Sequence, residues 1–245
     1  MKIVVFDDYS SVCKYVSDEI VSQIIKKPKS VLGLATGSTP LGVYKSLVER
    51  YQAKEISFKQ ITSYNLDEYV GINPRDINSY HYFMNVNLFK HIDIQPENIN
   101  IPDGQTQNIE KECMNFDNKI YSSGGIDLQL LGLGGNGHIG FNEPGPEFMT
   151  TTHVVNLNND TIVANSRFFE SVEEVPKQAI TMGIKTIFDA KKIILVACGQ
   201  QKKDIVKKLL QSKITPEIQA SILHLHRDIT VVLDRQAASE VNQYL

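Results

Sequence analysis

Short apolar runs alternate with amphipathic stretches along nearly the whole chain, and no other feature constrains the fold as strongly. "KIVVF" (2–6), "VLGLAT" (31–36), "ITSYNL" (61–66), "IDLQLLGLG" (126–134), "KKIILVACG" (191–199) and "DITVVLD" (228–234) read as strands. Several are apolar at consecutive positions, as a strand must be when both of its faces are covered. Between them the spacing of apolar residues predicts helices over 10–26, 40–53, 79–90, 106–121, about 201–211, 216–223 and 236–244. Strands alternating with helices predict an α/β fold, a mostly parallel Rossmann-like sheet with helices on both faces. "HVVNL" (153–157) is a further strand candidate among polar neighbours.

No internal repeat, low-complexity tract or Pro/Ser-rich linker breaks the 245 residues, so one domain over 1–245 is expected. Residues 145–176 depart from the pattern, with Pro146, Pro176, a polar "NLNND" and an acidic "SVEEV". They are expected to leave the sheet as a lid-like excursion. The 25 basic and 28 acidic residues nearly cancel and form no basic block, so the footprint of a nucleic-acid binder is missing. Cys13, Cys113 and Cys198 make no C-x-x-C pair and no zinc-ligand spacing, which points to reduced thiols and no metal site. The opening "MKIVVFDDYS" turns acidic too early for a signal-peptide core, and no apolar run approaches membrane-spanning length. A cytoplasmic protein without a membrane partner is the expectation.

In open α/β sheets ligands bind beyond the carboxyl ends of the strands, and four such junctions carry polar chemistry. In "LATGSTPLGVY" (34–44), Gly37 permits a tight turn, Ser38 or Thr39 can cap a helix, and Pro40 suits its first turn. That arrangement fits an anion cradle and equally a capped helix with no ligand; a Walker loop is excluded because G-K-[ST] is absent. In "YNLDEYVG" (64–71), Asp67 and Glu68 follow a strand directly, as a general base would if it faced a pocket, or as turn and helix caps do. "LGLGGNGHIGFNEPG" (131–145) spells G-x-G-x-x-G through Gly132, Gly134 and Gly137. Pro144 and Pro146 disfavour the helix that a dinucleotide fingerprint needs, so Asp160 downstream carries little weight as a ribose-binding acid. What remains there is a flexible loop presenting Asn136, His138 and Glu143, an imidazole with a carboxylate and an amide at hand for proton transfer. The fourth set is cationic: Arg167 in "ANSRFF" and Lys202 in "CGQQKK" could meet a phosphate, with Lys203 an alternative to Lys202. His224 and His226 form a weak metal candidate, and a strand-edge pair is the simpler reading.

"ATGSTPLGVY", "NLDEYVG" followed by "SYHYFM", "GHIGFNEPG", "ANSRFF", "AITMGI" and "GQQK" occur in the order found in glucosamine-6-phosphate deaminases. The resemblance runs to "ITVVLDRQAAS" and so covers nearly the whole chain. It implies conversion of glucosamine 6-phosphate and water into fructose 6-phosphate and ammonia, with no redox cofactor or metal. By position, Asp67 resembles the base that moves a proton between C2 and C1. His138 resembles the acid/base that opens the pyranose ring, with Glu143 and Asn136 as partners. Gly37, Ser38, Thr39, Arg167 and Lys202 match the phosphate pocket.

Two departures from the family pattern bear on this carry-over. Asn136 stands where some members have Asp, so a charged relay there is not implied. "PEFMTTTHVV" offers only His153 where regulated relatives carry basic residues, and the chain stops at Leu245. Activation by an amino-sugar phosphate is therefore not expected; a monomer is compatible with this, and a homo-oligomer is left open. Three rivals are weighed. A 6-phosphogluconolactonase shares the phosphate loop and the Gly-His element but usually lacks the "NEP" that supplies Glu143. A non-catalytic sugar-phosphate sensor would be expected to lose Asp67 or His138. A nucleotide-dependent dehydrogenase ranks last.

Overall fold

All six apolar runs become strands of one parallel sheet. The computed structural model describes residues 1–241. Its first half contains β1 (Lys2–Phe6), α1 (Tyr9–Lys26), β2 (Val31–Leu34), α2 (Leu41–Gln52), β3 (Thr62–Asn65), β4 (Asp67–Tyr69), α3 (Tyr80–Asn87) and β5 (Ile99–Asn100). Then follow α4 (Ile109–Ser122), β6 (Leu128–Gly132), β7 (His153–Asn156), α5 (Asn159–Asn165), β8 (Gln178–Thr181), α6 (Ile184–Phe188), β9 (Lys192–Ala197), α7 (Lys203–Gln211) and β10 (Ile229–Asp234). The central sheet has seven strands in the order β1-β10-β9-β6-β2-β3-β5, and every neighbouring pair is parallel.

Helices cover both faces, which is why the strands are apolar at consecutive positions. Leu131, Leu195 and Leu233 face one core with Phe116 of α4, Ile187 of α6 and Val206 of α7. Their neighbours Leu130, Ile194 and Val232 face the other core with Val16 of α1, Tyr44 of α2 and Met84 of α3. Successive side chains of a strand point to opposite faces, so one run of six apolar residues serves two cores.

At the amino end of the sheet the buried Asp127 ties three segments together. It accepts from the Val31 N–H at 2.8 Å, from Lys27 at 2.7 and 2.9 Å and from Lys191 at 2.7 Å. Burial works to raise this carboxyl, but the two lysines and the Val31 amide outweigh it and leave the group below its ordinary value.

A second, three-stranded antiparallel sheet, β4-β8-β7, stands beside the first. "HVVNL" does form a strand, but here rather than in the main sheet. Asp67 of β4 and His153 of β7 both pair with Thr181 of β8, so this small sheet carries Asp67 into place.

Several helices differ from expectation. Helix α2 begins one residue later than Ser38 or Thr39 would allow as caps, with Pro40 at the N-cap and no side chain capping it. The Tyr9 hydroxyl takes over, accepting from the Gly42 N–H at 2.9 Å and donating to the Thr39 carbonyl at 2.9 Å. Residues 216–223 do not make an α-helix; Gln219–Leu225 forms a 3₁₀ helix. Over 236–244, residues 236–240 form turns, and 242–245 lie outside the described residues. Asp234 sets those turns by accepting from the Ala237 N–H at 2.8 Å while also holding the Gly199 N–H at 2.9 Å.

Candidate active site

A cavity of about 900 Å³ opens where β2, β3, β6, β9 and β10 end. Gly37, Ser38, Thr39, Asp67, Asn136, His138, Arg167 and Lys202 all line it. Glu143 stands behind His138. Residues more than 160 positions apart along the chain thus meet at one place, because parallel strands deliver all their carboxyl ends to the same edge.

The cationic wall has three parts. After β2 the chain turns at Gly37, whose φ of 95° is open to glycine and strained for other residues. Tyr9 occupies the Gly42 amide that a capping hydroxyl would have used, and the Ser38 and Thr39 side chains are not engaged in the cap. Opposite, Lys202 sits in a 3₁₀ turn after β9 and donates to the Leu133 carbonyl at 2.6 Å. Burial first, and then the nearby Arg167 charge, lower the Lys202 ammonium below its ordinary value. Two cations held near one another beside a turn of backbone amides form a site that an anion relieves. Lys203, the alternative, faces away and lies 3.8 Å from Glu240.

The two carboxylates of "LDEY" divide between them the two roles open to each from sequence. Alternation along β4 sends Asp67 into the cavity and Glu68 behind it. Glu68 is 1% exposed. It accepts from the N–H groups of Tyr69 (2.9 Å), Tyr80 (3.0 Å) and His81 (3.0 Å), and its Oε2 lies 2.9 Å from His81 Nδ1. It therefore secures the first turn of α3, the helix capped by Ser79. Asp67 accepts no hydrogen bond from the described residues. Burial, and secondarily the Glu68 charge, push its carboxyl well above the ordinary value. A carboxylate desolvated without a donor is a strong base once ionised.

The loop after β6 presents the imidazole. Gly134 lies under the His138 ring so closely that an added Cβ would sit 2.3 Å from it. The Gly134 N–H donates to the His138 carbonyl at 2.9 Å, and Gly137 turns at φ 92°. Glu143 Oε2 lies 3.5 Å from His138 Nδ1 and accepts from Asn136 at 2.8 Å and Asn158 at 3.3 Å. Burial works against the Glu143 charge, but His138, Thr161 and Asn136 together outweigh it and lower the group to about 2. Asn136 also accepts from the His138 N–H at 3.2 Å, so its amide is oriented from both ends.

Residues 145–176 supply the remaining wall through Asp160, Thr161, Asn165, Arg167 and Phe169. Tyr69, Tyr80, Asn158, Thr161 and Asn165 were not singled out from sequence; Tyr69, Tyr80 and Asn165 stand inside "LDEYVG", "SYHYFM" and "ANSRFF", Asn158 inside the polar "NLNND", and Thr161 directly after it. His224 and His226 are engaged separately, with Nε2 atoms 2.8 Å from the Leu209 and Ala190 carbonyls. Among the described residues no cluster of His, Cys, Asp or Glu is placed to hold a metal ion, and no helix is long and apolar enough to cross a membrane.

Comparison with known proteins gives the family. The family model described as glucosamine-6-phosphate isomerases/6-phosphogluconolactonase matches residues 8–232. A glucosamine-6-phosphate deaminase of Clostridium botulinum (strain Loch Maree / Type A3) is 54% identical over 99% of both chains. One of Clostridium novyi (strain NT) is 55% identical over 98% of this chain and 100% of its own. A solved monomeric glucosamine-6-phosphate deaminase superposes with a TM-score of 0.96 at 47% identity, covering 98% of this chain and 100% of that one. A 6-phosphogluconolactonase from Trypanosoma cruzi shares the fold, with a TM-score of 0.79, but only 20% identity over 98% and 97% of the two chains. The chain belongs to the glucosamine-6-phosphate isomerase/6-phosphogluconolactonase family.

Proposed function

We propose that this chain converts glucosamine 6-phosphate and water into fructose 6-phosphate and ammonia. The observation that carries the assignment is the convergence of a desolvated Asp67 and a His138–Glu143 pair on one cavity beside the Arg167–Lys202 cations.

The phosphate is held by Arg167, Lys202 and the turn at Gly37, Ser38 and Thr39. His138 takes the proton of the anomeric hydroxyl and returns one to the ring oxygen, so the hemiacetal opens with no net proton change. During that exchange Glu143 faces the transient imidazolium, and Asn136 keeps Glu143 directed at it; an amide suffices because the function is orientation rather than charge. Asp67 then removes the C2 proton of the open amino-aldose. The resulting enolamine is reprotonated at C1, leaving an imine at C2, and water adds there as ammonia departs. Binding energy from the remote phosphate is spent on aligning C1 and C2 with Asp67. Residues 145–176 act as a cover that keeps bulk water from the enolamine.

Ammonia release from glucosamine 6-phosphate, assayed beside hydrolysis of 6-phosphogluconolactone, tests this reading. Ammonia production with negligible lactone hydrolysis is expected; the reverse pattern would replace the deaminase with a lactonase.

A further inference from the structure

Two amides from different segments aim the carboxylate that faces His138. Glu143 Oε2 accepts from Asn136 of the glycine loop at 2.8 Å and from Asn158 of the covering segment at 3.3 Å. The backbone beside Glu143 is pinned separately, because the Asn142 amide donates to the Ile139 and Met182 carbonyls at 2.9 and 2.8 Å. Asn158 is held on both sides as well. Leu157 before it is buried in the same cluster as Phe141, and its N–H donates to the Lys177 carbonyl at 2.9 Å. The Asn158 carbonyl accepts from the Ile162 N–H at 2.9 Å and so starts α5.

An asparagine at a helix N-cap ordinarily accepts from an N–H of its own first turn. Asn158 stands at the N-cap of α5 and makes no such bond; its amide is turned to Glu143 instead. Helix α5 then runs for 7 residues, about 10 Å, into the 3₁₀ turn Ser166–Phe168 that contains Arg167. A partner of Glu143 and a cation of the cradle therefore lie at the two ends of one short element. We infer that Asn158 is a positioning residue: it ties α5 to Glu143, so that the element presenting Arg167 to the phosphate also sets the carboxylate against His138. The inference rests on the deaminase reading above. Asn158 is not among the residues lining the cavity, so it acts through Glu143 and not on the substrate.

The test uses Asn158→Ala, Asn158→Asp, Glu143→Gln and the double variant Asn158→Ala with Glu143→Gln. For each, kcat on glucosamine 6-phosphate, the inhibition constant of inorganic phosphate and Tm are measured. Asn158→Ala is expected to lose about fivefold in kcat, with phosphate inhibition within about twofold of wild type. In the double variant the loss should stay within about twofold of that of Glu143→Gln alone, because Asn158 then has no charge to direct. Asn158→Asp keeps the shape but donates only while a proton is shared with Glu143, since two touching carboxylates resist ionising together. Its kcat relative to wild type should fall at least about fivefold between about pH 6 and about pH 9, whereas that of Asn158→Ala stays level. His138 and Asp160, the other titratable groups of these segments that line the cavity, are common to all the chains and cancel in the ratio. An inactive wild-type chain overturns the functional reading itself. With an active wild type, three results overturn the positioning role: a folded Asn158→Ala with kcat within about twofold of wild type, losses that multiply in the double variant, or an Asn158→Asp ratio that does not fall with pH.

Discussion

At the scale of single residues, the account turns on two carboxylates pushed in opposite directions. Asp67 is raised by burial without donors, while Glu143 is lowered to about 2 by donors that outweigh burial. Since only ionised Asp67 can take the C2 proton, kcat/KM should rise with pH through a value above the ordinary 3.8 of aspartate. Glu143 is already ionised there and adds no limb of its own. The signs for stability are also opposite. A raised carboxyl pKa gives stability that is present below the unfolded value and lost as pH rises through the folded one, so ionised Asp67 weakens the fold at neutral pH. Asp67→Asn should therefore melt higher than the wild type at pH 7, checked by thermal denaturation; a lower Tm contradicts the desolvation argument. Glu143→Gln keeps the shape but removes the charge facing His138, and about a tenfold or greater loss of kcat is expected in a steady-state assay.

At the scale of elements, what was legible depended on burial. Six of the seven strands of the main sheet could be read, several of them because a strand covered on both faces is apolar at consecutive positions; the seventh, the two-residue edge strand β5, carried no such run. Of the small sheet only β7 was legible, as "HVVNL": β4 is "DEY", whose Asp67 faces the cavity and whose Glu68 anchors a helix, and β8 is "QAIT", whose Gln178 donates to Asn156 and whose Thr181 accepts from the Phe141 N–H. Asp67 was recognised as a candidate, but not that a separate strand carries it. Ser38 and Thr39 looked like helix caps because Tyr9, 29 and 30 positions away, is invisible to local spacing. Likewise "QASILHL" has helical apolar spacing but settles as a 3₁₀ helix. No helix follows the glycine loop directly, as Pro144 and Pro146 implied, and its geometry gives one reason for its glycines. Gly134→Ala would drive a methyl into the His138 ring, whose nearest atoms lie 2.3 Å from the position of that carbon. Displacement of the imidazole should lower kcat by about a hundredfold with Tm little changed, measured by turnover beside thermal melting.

At the scale of the whole molecule, the two ends of the sheet serve different purposes. The amino end is closed by Asp127 with Lys27, Lys191 and the Val31 amide, far from the chemistry. Asp127→Ala should cost about 2 kcal/mol in denaturant unfolding and leave kcat within about twofold. Because the Asp127 carboxyl is lowered, its contribution is complete above the unfolded value of 3.8 and disappears as pH falls through the folded one. At the carboxyl end, functional groups accumulate at the expense of stability: a desolvated base and two neighbouring cations. The central claim is that Asp67 performs the C2–C1 proton transfer on a substrate anchored by the Arg167–Lys202 cradle. Its most direct test is the kcat of Asp67→Asn beside the inhibition constant of inorganic phosphate. The account predicts a loss of about a hundredfold or more in ammonia release with phosphate inhibition within about twofold of wild type; undiminished ammonia release from that variant would contradict it.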